Sequence, residues 1–509
     1  MTLKKRLIMI LAIALIAGGL YGAGKFGLLA RHEETEAEAE TEESLFGHRE
    51  TLYLWYADET LTDYLNSVAV SYSEYQKEVR VVPVYTQGLE YLETINQASL
   101  QTEEVPDLYI VSNDSLEKAY LGGLACEVKL PEGVLPMADM VPQSAVHAVT
   151  YHDKQIGYPF YYETSCLLYN RTYLEDWARA QIEAERDLAL AEDAQEQADS
   201  GEVEEEIQEA HEQEEISAED VRAKVEETIP QTIDEILAFA DVYDAPEQVE
   251  AIFKWDVSDI FYNYFIVGNY IDVGGENGDN ADSIHIYNEN AIRALRVYQN
   301  LNQFFSIDTK EISYDGVLQD FLDGKIVYTV ATSDALSKLE KAREEGEFAY
   351  DYGVSRVPDV SEELKSSSLS VTQCVAVNGY STKKEMANDF AVYLALYNTD
   401  DLYTRTGKLP VFHDGNIYDD PNAAAFLEEY GRSVPMPKMI ETSNFWVELE
   451  IAFAKIWDGD DANDELKALS EQIMGQVLGE AYTEEYIDVP IPVDEEDEEI
   501  LEEEESGEE

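Results

Sequence analysis

Apolar runs alternate with stretches of helical period through the first part of the body. Thr51-Leu-Tyr-Leu-Trp-Tyr-Ala57 predicts a strand, Leu61 to Tyr75 a helix, and Val79-Arg-Val-Val-Pro-Val-Tyr85 a second strand. Leu89 to Leu100 then predicts another helix and Pro106-Asp-Leu-Tyr-Ile-Val111 a third strand. Strand and helix in strict alternation imply right-handed crossovers and a parallel sheet covered on both faces. Open sheets of this kind take ligands beyond the carboxyl ends of their strands. Asp58 and Glu59 follow the first strand and Asn113 and Asp114 follow the third, where Asp58 and Asn113 could equally serve as helix caps.

A second pattern surrounds Gln155-Ile-Gly-Tyr-Pro-Phe-Tyr-Tyr-Glu-Thr-Ser-Cys-Leu-Leu-Tyr-Asn170, where two apolar runs meet at Glu163. The polar Glu-Thr-Ser predicts a break between two short strands, as where a chain leaves one domain for another. Tyr162 and Glu163 then fall at a domain boundary, a usual place for a small-ligand cleft. Further on, Thr232 followed by Glu235 has the spacing of a capping box. The aromatics Phe253, Trp255, Phe261, Tyr262, Tyr264 and Phe265 form either core or ligand platform. Asn288 to Phe305 and Val317 to Leu322 read as helices, and Gly324 to Ala331 and Tyr352 to Pro358 as strands.

The chain has 509 residues, too many for one core, with 107 acidic residues against 34 Lys and Arg and a formal net charge of -73. That charge repels nucleic acid and anionic lipid. Much of it lies in two segments with little apolar content. From Ala178 to Glu227 the sequence is largely Ala, Glu and Gln and predicts two helices joined by a turn at Asp199-Ser200-Gly201, a solvated spacer or a docking arm for a protein partner. From Ile491 the chain is an acidic tail expected to be disordered. At the other end, Lys4-Lys5-Arg6 precede the apolar run Leu7 to Ala23, which predicts export with the leader cleaved or kept as an anchor. Cys126, Cys166 and Cys374 are few and far apart, so neither a disulfide framework nor a metal knuckle is expected, and no cofactor is implied.

The order of these pieces resembles the extracellular solute-binding proteins of ABC importers, the family that includes maltose-binding protein. Leu54-Trp-Tyr, Pro106-Asp-Leu-Tyr-Ile, Ile156-Gly-Tyr-Pro-Phe-Tyr-Tyr-Glu-Thr, Leu168-Tyr-Asn and Pro230-Gln-Thr-Ile-Asp-Glu carry the likeness. Gly324-Lys-Ile-Val-Tyr, Tyr352-Gly-Val-Ser-Arg-Val-Pro, Pro435-Met-Pro-Lys, Asn444-Phe-Trp and Ile456-Trp-Asp-Gly continue it in the same order. The resemblance implies an α/β, two-lobed periplasmic-binding-protein-like fold (type II) with an inserted acidic helical hairpin. Its implied parts are a leader or anchor (1–30), an acidic linker (31–49), one lobe (50–161 plus 352–410), a second lobe (162–351 plus 411–483) carrying the insertion (178–228), and an acidic tail (484–509).

By the same resemblance Glu163 falls on the cleft carboxylate, Asp58 near the acidic position after the first strand, Asn113 and Asp114 on the polar pair after the third, and Trp446 on the aromatic that stacks on sugar. With Trp55, Tyr162 and Trp255 these residues are the candidate ligand-binding set. Val111 and Thr332 to Asp334 stand where maltose-binding members carry stacking tryptophans, so maltose specificity itself does not carry over. Pyranose faces pack on Trp or Tyr and sugar hydroxyls donate to carboxylates, which favours a carbohydrate delivered to an ABC permease. A cationic solute is the minor alternative. Paired carboxylates could hydrolyse glycosides, but no hydrolase, zinc-protease or phosphate-loop motif is present and no catalysis is expected. A second reading, of another class, is a membrane-anchored surface or sensing protein that keeps the fold and docks a partner through the acidic hairpin.

Overall fold

The computed structural model describes residues 49–490, except 89, 102–103, 201–215, 306 and 414–415. The predicted leader, nearly all of the linker and the tail from residue 491 lie outside the described residues; of the predicted turn, Gly201 lies outside them while Asp199 and Ser200 continue the helix Arg171–Ser200. By internal contacts the chain divides into a small unit, Met1–Thr51 with Ser73–Arg80, and a large one, Leu52–Tyr72 with Val81–Glu509. In the small unit the Glu50 amide donates to the Glu78 carbonyl.

The large unit is built on a mixed sheet. In chain order its strands begin with β1 (Glu50–Tyr56), β2 (Val79–Tyr85) and β3 (Leu108–Ser112), which enter the large unit wholly or from their third residues. A ribbon of β4 (Thr150–Tyr151) and β5 (Lys154–Gln155) precedes the long β6 (Tyr158–Asn170). Then come β7 (Ala251–Phe253), a second ribbon of β8 (Asp272–Val273) and β9 (Ile284–His285), β10 (Ile326–Thr332) and β11 (Tyr352–Ser355). β12 (Leu369–Val377), β13 (Leu409–Pro410) and β14 (Val434–Pro435) complete the set. The sheet runs β2-β1-β3-β12-β6-β10-β7, with β11 and β13 on β6 and β14 on β12. β1 and β3 pair in parallel, as the alternation predicts, but β12 joins β3 and β6 antiparallel, so the sheet is mixed.

The predicted break at Glu163 does not occur. β6 is one strand of 13 residues, and only Glu163 in it is not buried. Thr164 does not end the strand because its hydroxyl is satisfied inside the fold, reaching Ser368 Oγ and the Leu369 carbonyl, each at 2.9 Å. Thr164 and Ser165 mark a change of partner instead. β12 pairs with β6 from Tyr158 to Thr164, and β10 pairs with it from Ser165 to Tyr169. β11 covers the later half, where Gly353 lies opposite Tyr169; a Cβ there would sit 2.1 Å from the ring, so the position admits no side chain without repacking.

The helices follow the sequence closely. Thr62–Tyr75, Tyr91–Ser99 and Glu289–Phe305 form where the apolar period places them. Thr232 caps Ile233–Val242 by accepting from the Glu235 amide, while the Glu235 carboxylate takes the Gln231 amide, one residue before the cap. Helix Arg171–Ser200 contacts helix Ala218–Thr228, tied by Lys224 to Glu185 at 2.9 Å. In the first of these helices Ile182 packs against the core whereas Leu188 is exposed. Asp461 caps helix Ala462–Leu478 through the Asn463 and Asp464 amides. Residues 484–490, expected to belong to the solvated tail, are tied down: Arg296 Nη1 donates to the Val489 and Pro490 carbonyls at 2.9 and 3.3 Å.

Candidate functional site

Where β1 ends, the chain turns through the short 3-10 helix Glu59–Leu61, and Asp58 caps it. Asp58 Oδ1 accepts from the Thr60 amide at 3.0 Å and its hydroxyl at 2.6 Å, which fixes the carboxylate and leaves Oδ2 to other partners. Glu163 projects from β6 at the point where the strand changes partners. The third residue of the site comes from much later in the chain. Gly407, at φ 72°, ends helix Leu402–Thr406, and the chain then lays β13 antiparallel against Tyr161 and Tyr162. Lys408 stands between that turn and β13.

Its ammonium joins the two carboxylates. Lys408 Nζ is 3.0 Å from Glu163 Oε1 and 3.4 Å from Asp58 Oδ2, and 5.5 Å from the centroid of the Tyr161 ring. The Lys408 side chain is 19% exposed against 29% for Asp58 and 39% for Glu163, so the cation lies beneath and the carboxylates face outward. Burial alone would lower the Lys408 pKa, but the charges of Glu163 and Asp58 and the hydrogen bonds to them hold it above the ordinary value. For Asp58, burial raises the pKa, yet the Thr60 hydroxyl and the Lys408 charge bring the balance below the ordinary value. Burial pushes the Tyr161 phenol far up, helped by the Asp58 and Glu163 charges, so it stays neutral.

The other candidates lie in differing surroundings. Trp55 is half-buried on β1, beside Tyr109 of β3, and its indole Nε1 is buried without a hydrogen-bond partner among the described residues. Asp114 is exposed and accepts from the Ser112 hydroxyl. Trp446 is half-buried in the first turn of helix Phe445–Trp457, edge-on to Tyr264 at 5.3 Å. Asn113 is wholly buried and its amide is spent internally: Nδ2 donates to the Met436 carbonyl at 2.6 Å and Oδ1 accepts from the Thr372 amide at 2.9 Å. Tyr162 is 0% exposed, stacked on Tyr430 at 4.0 Å with its hydroxyl 3.3 Å from that of Tyr418.

Trp255 is likewise 0% exposed, packed on Phe253, Phe305 and Trp457. It belongs to the core, as does most of the aromatic cluster around it, and presents no face to a solute. Asp58 and Glu163 are therefore the two candidates brought into one charged group. Lys408 is the member that reading the sequence missed. Its one local signal is the Gly407 turn before Leu409-Pro410, and the strand pairing that carries it to Glu163 spans 245 residues.

Comparison with known proteins places the chain in a family and its fold among solved structures. The sequence profile described as bacterial extracellular solute-binding protein matches residues 71–416. Galactooligosaccharide-binding protein of Bacillus subtilis (strain 168) is 24% identical over 220 residues, 41% of this chain and 51% of that protein, so the chain spans about half the length of this relative. Among solved structures, the extracellular solute-binding protein of Staphylococcus aureus in complex with maltose superposes with a TM-score of 0.64 at 18% identity, covering 85% of this chain and 99% of that one. The maltose-binding periplasmic protein of Listeria monocytogenes, also with maltose, gives 0.60 at 20% identity, covering 86% and 100%. At those identities the likeness establishes the fold.

Proposed function

Since the chain belongs to the bacterial extracellular solute-binding protein family, whose members bind rather than transform their solutes, we propose that it captures a sugar or oligosaccharide outside the cell and hands it to an ABC permease. In this reading β6 is the first crossing between two lobes, 50–161 plus 352–410 and 162–351 plus 411–483, which hinge shut over the solute. The observation that carries it is the meeting of Asp58 and Glu163 at Lys408 beside the change of partners on β6. Two outward carboxylates accept from sugar hydroxyls, the ammonium beneath donates to a sugar oxygen, and Trp55 or Trp446 supplies an apolar platform for a ring face. Maltose and a galacto-oligosaccharide are the first solutes to try, given what the relatives bind. Capture and delivery are extracellular in this reading, whether the leader is cleaved or kept.

Thermal unfolding against neutral oligosaccharides, amino acids and metal ions tests this reading. A true solute at about a hundred times its dissociation constant stabilises by about 2.7 kcal/mol. With that solute in hand, Glu163→Ala and Trp446→Ala are each expected to weaken binding tenfold or more, in line with the roughly 1.5 to 3 kcal/mol of a hydrogen bond to a charged group. Isotherms unchanged in both variants would remove this cleft from the binding role.

A further inference from the structure

Lys408 has a consequence for which solutes the site admits. We propose that it is a built-in counter-ion that reserves the site for uncharged, hydroxyl-bearing solutes and shuts out amine-bearing ones; the inference rests on the binding role proposed above.

A pair of outward carboxylates in a chain of net charge -73 is, by itself, a trap for cations. Polyamines, amino sugars and basic amino acids would all be drawn to it. In this chain the position such an ammonium would take, between Asp58 Oδ2 and Glu163 Oε1, is filled from within by Lys408 Nζ at 3.4 and 3.0 Å. Asp58 is pinned through Oδ1 by both groups of Thr60, and the Glu163 carboxylate takes its bond from Lys408 itself.

An incoming ammonium must then either displace a lysine held next to the strand paired with Tyr161 and Tyr162, or sit beside a like charge. An incoming hydroxyl meets no such obstacle. It donates to the carboxylate oxygens that remain open, and the ammonium, with one N–H given to Glu163 and its charge facing Asp58, has a further N–H to offer a solute oxygen. Two carboxylates and one ammonium leave a residual charge of about -1 at the site, which also disfavours uronic acids and phosphorylated sugars. The raised pKa of Lys408 keeps the counter-ion charged through the neutral range.

The test uses the full chain and its Lys408→Met variant, titrated calorimetrically with maltose, a galacto-oligosaccharide, glucosamine and spermidine. The wild-type chain is expected to bind a neutral glycan and neither amine. Lys408→Met is expected to lose at least tenfold in glycan affinity and to gain at least tenfold for glucosamine or spermidine. Lys408→Gln serves if the methionine variant fails to fold, with the same outcome expected, and Lys408→Arg should keep the wild-type preference. If the wild-type chain binds a glycan and both neutral variants bind it equally and take up no amine, the counter-ion role is overturned while the carbohydrate reading stands. If the wild-type chain binds an amine and no neutral glycan, both fall.

Discussion

Trp255→Ala is expected to lower unfolding stability by about 3 to 5 kcal/mol, the usual range for emptying a buried aromatic site, while leaving the solute affinity of the folded fraction unchanged. The indole lies flat on Phe253, centroids 4.4 Å apart at 19°, and meets Trp457 edge-on at 5.6 Å and 85°. Its Nε1 donates to Asn263 Oδ1 at 2.8 Å, and Asn263 in turn donates to the Asp256 and Asp259 carbonyls. Truncation leaves a cavity and also strands the Asn263 oxygen in the interior, so two penalties add. Denaturant midpoints measure the loss. A variant as stable as the parent, or a stable one with lost binding, would return Trp255 to the solute site.

The second large effect concerns Lys438. It is 1% exposed and donates to the His147 carbonyl at 2.9 Å and to the Asn277 carbonyl, with no carboxylate within ion-pair distance among the described residues. Burial drives its pKa down to about 8, with Asp279, Cys374 and Glu117 only partly opposing the fall. The folded chain therefore binds this proton more weakly than the unfolded chain, whose lysine keeps the ordinary value near 10.5. Stability must rise with pH between about 8 and 10.5 and be flat below that window, with a full span of roughly 3 kcal/mol.

The buried tyrosines titrate in the opposite sense at the alkaline end, because their folded values lie above 10 and the unfolded phenols lose protons first. A difference against Lys438→Met isolates the lysine. Between pH 8 and 9.5 the wild-type chain should gain roughly 1.5 kcal/mol on the variant, and parallel curves would show that the ammonium is not desolvated as described. His147, whose carbonyl accepts from Lys438, has its pKa lowered by burial and so titrates below this window.

How much of this was legible in the sequence depended on the distance over which each feature is made. Local period found the first three strands and their helices within a residue or two, and Thr232 with Glu235 announced its own cap. The ordered motifs found the fold. What stayed hidden was set by partners far along the chain. Glu-Thr-Ser looks like a break until Ser368 and Leu369 arrive to satisfy Thr164. Asn113 looks like a free polar residue until Thr372 and Met436 occupy its amide. Tyr162 and Trp255 look like platforms because an aromatic that packs against core and one that packs against sugar share the same composition. Lys408 carried no signal beyond a turn, since its role exists only once β13 is docked.

β6 also dictates an order of assembly. It ends at Asn170, whereas its neighbours β10, β11, β12 and β13 begin at Ile326, Tyr352, Leu369 and Leu409. As synthesis proceeds from the N-terminus, this almost wholly buried strand must wait with open edges until the second half of the chain exists. Chains released before Ile326 are bound to aggregate through it, and complete chains fold no faster than those distant strands can find it.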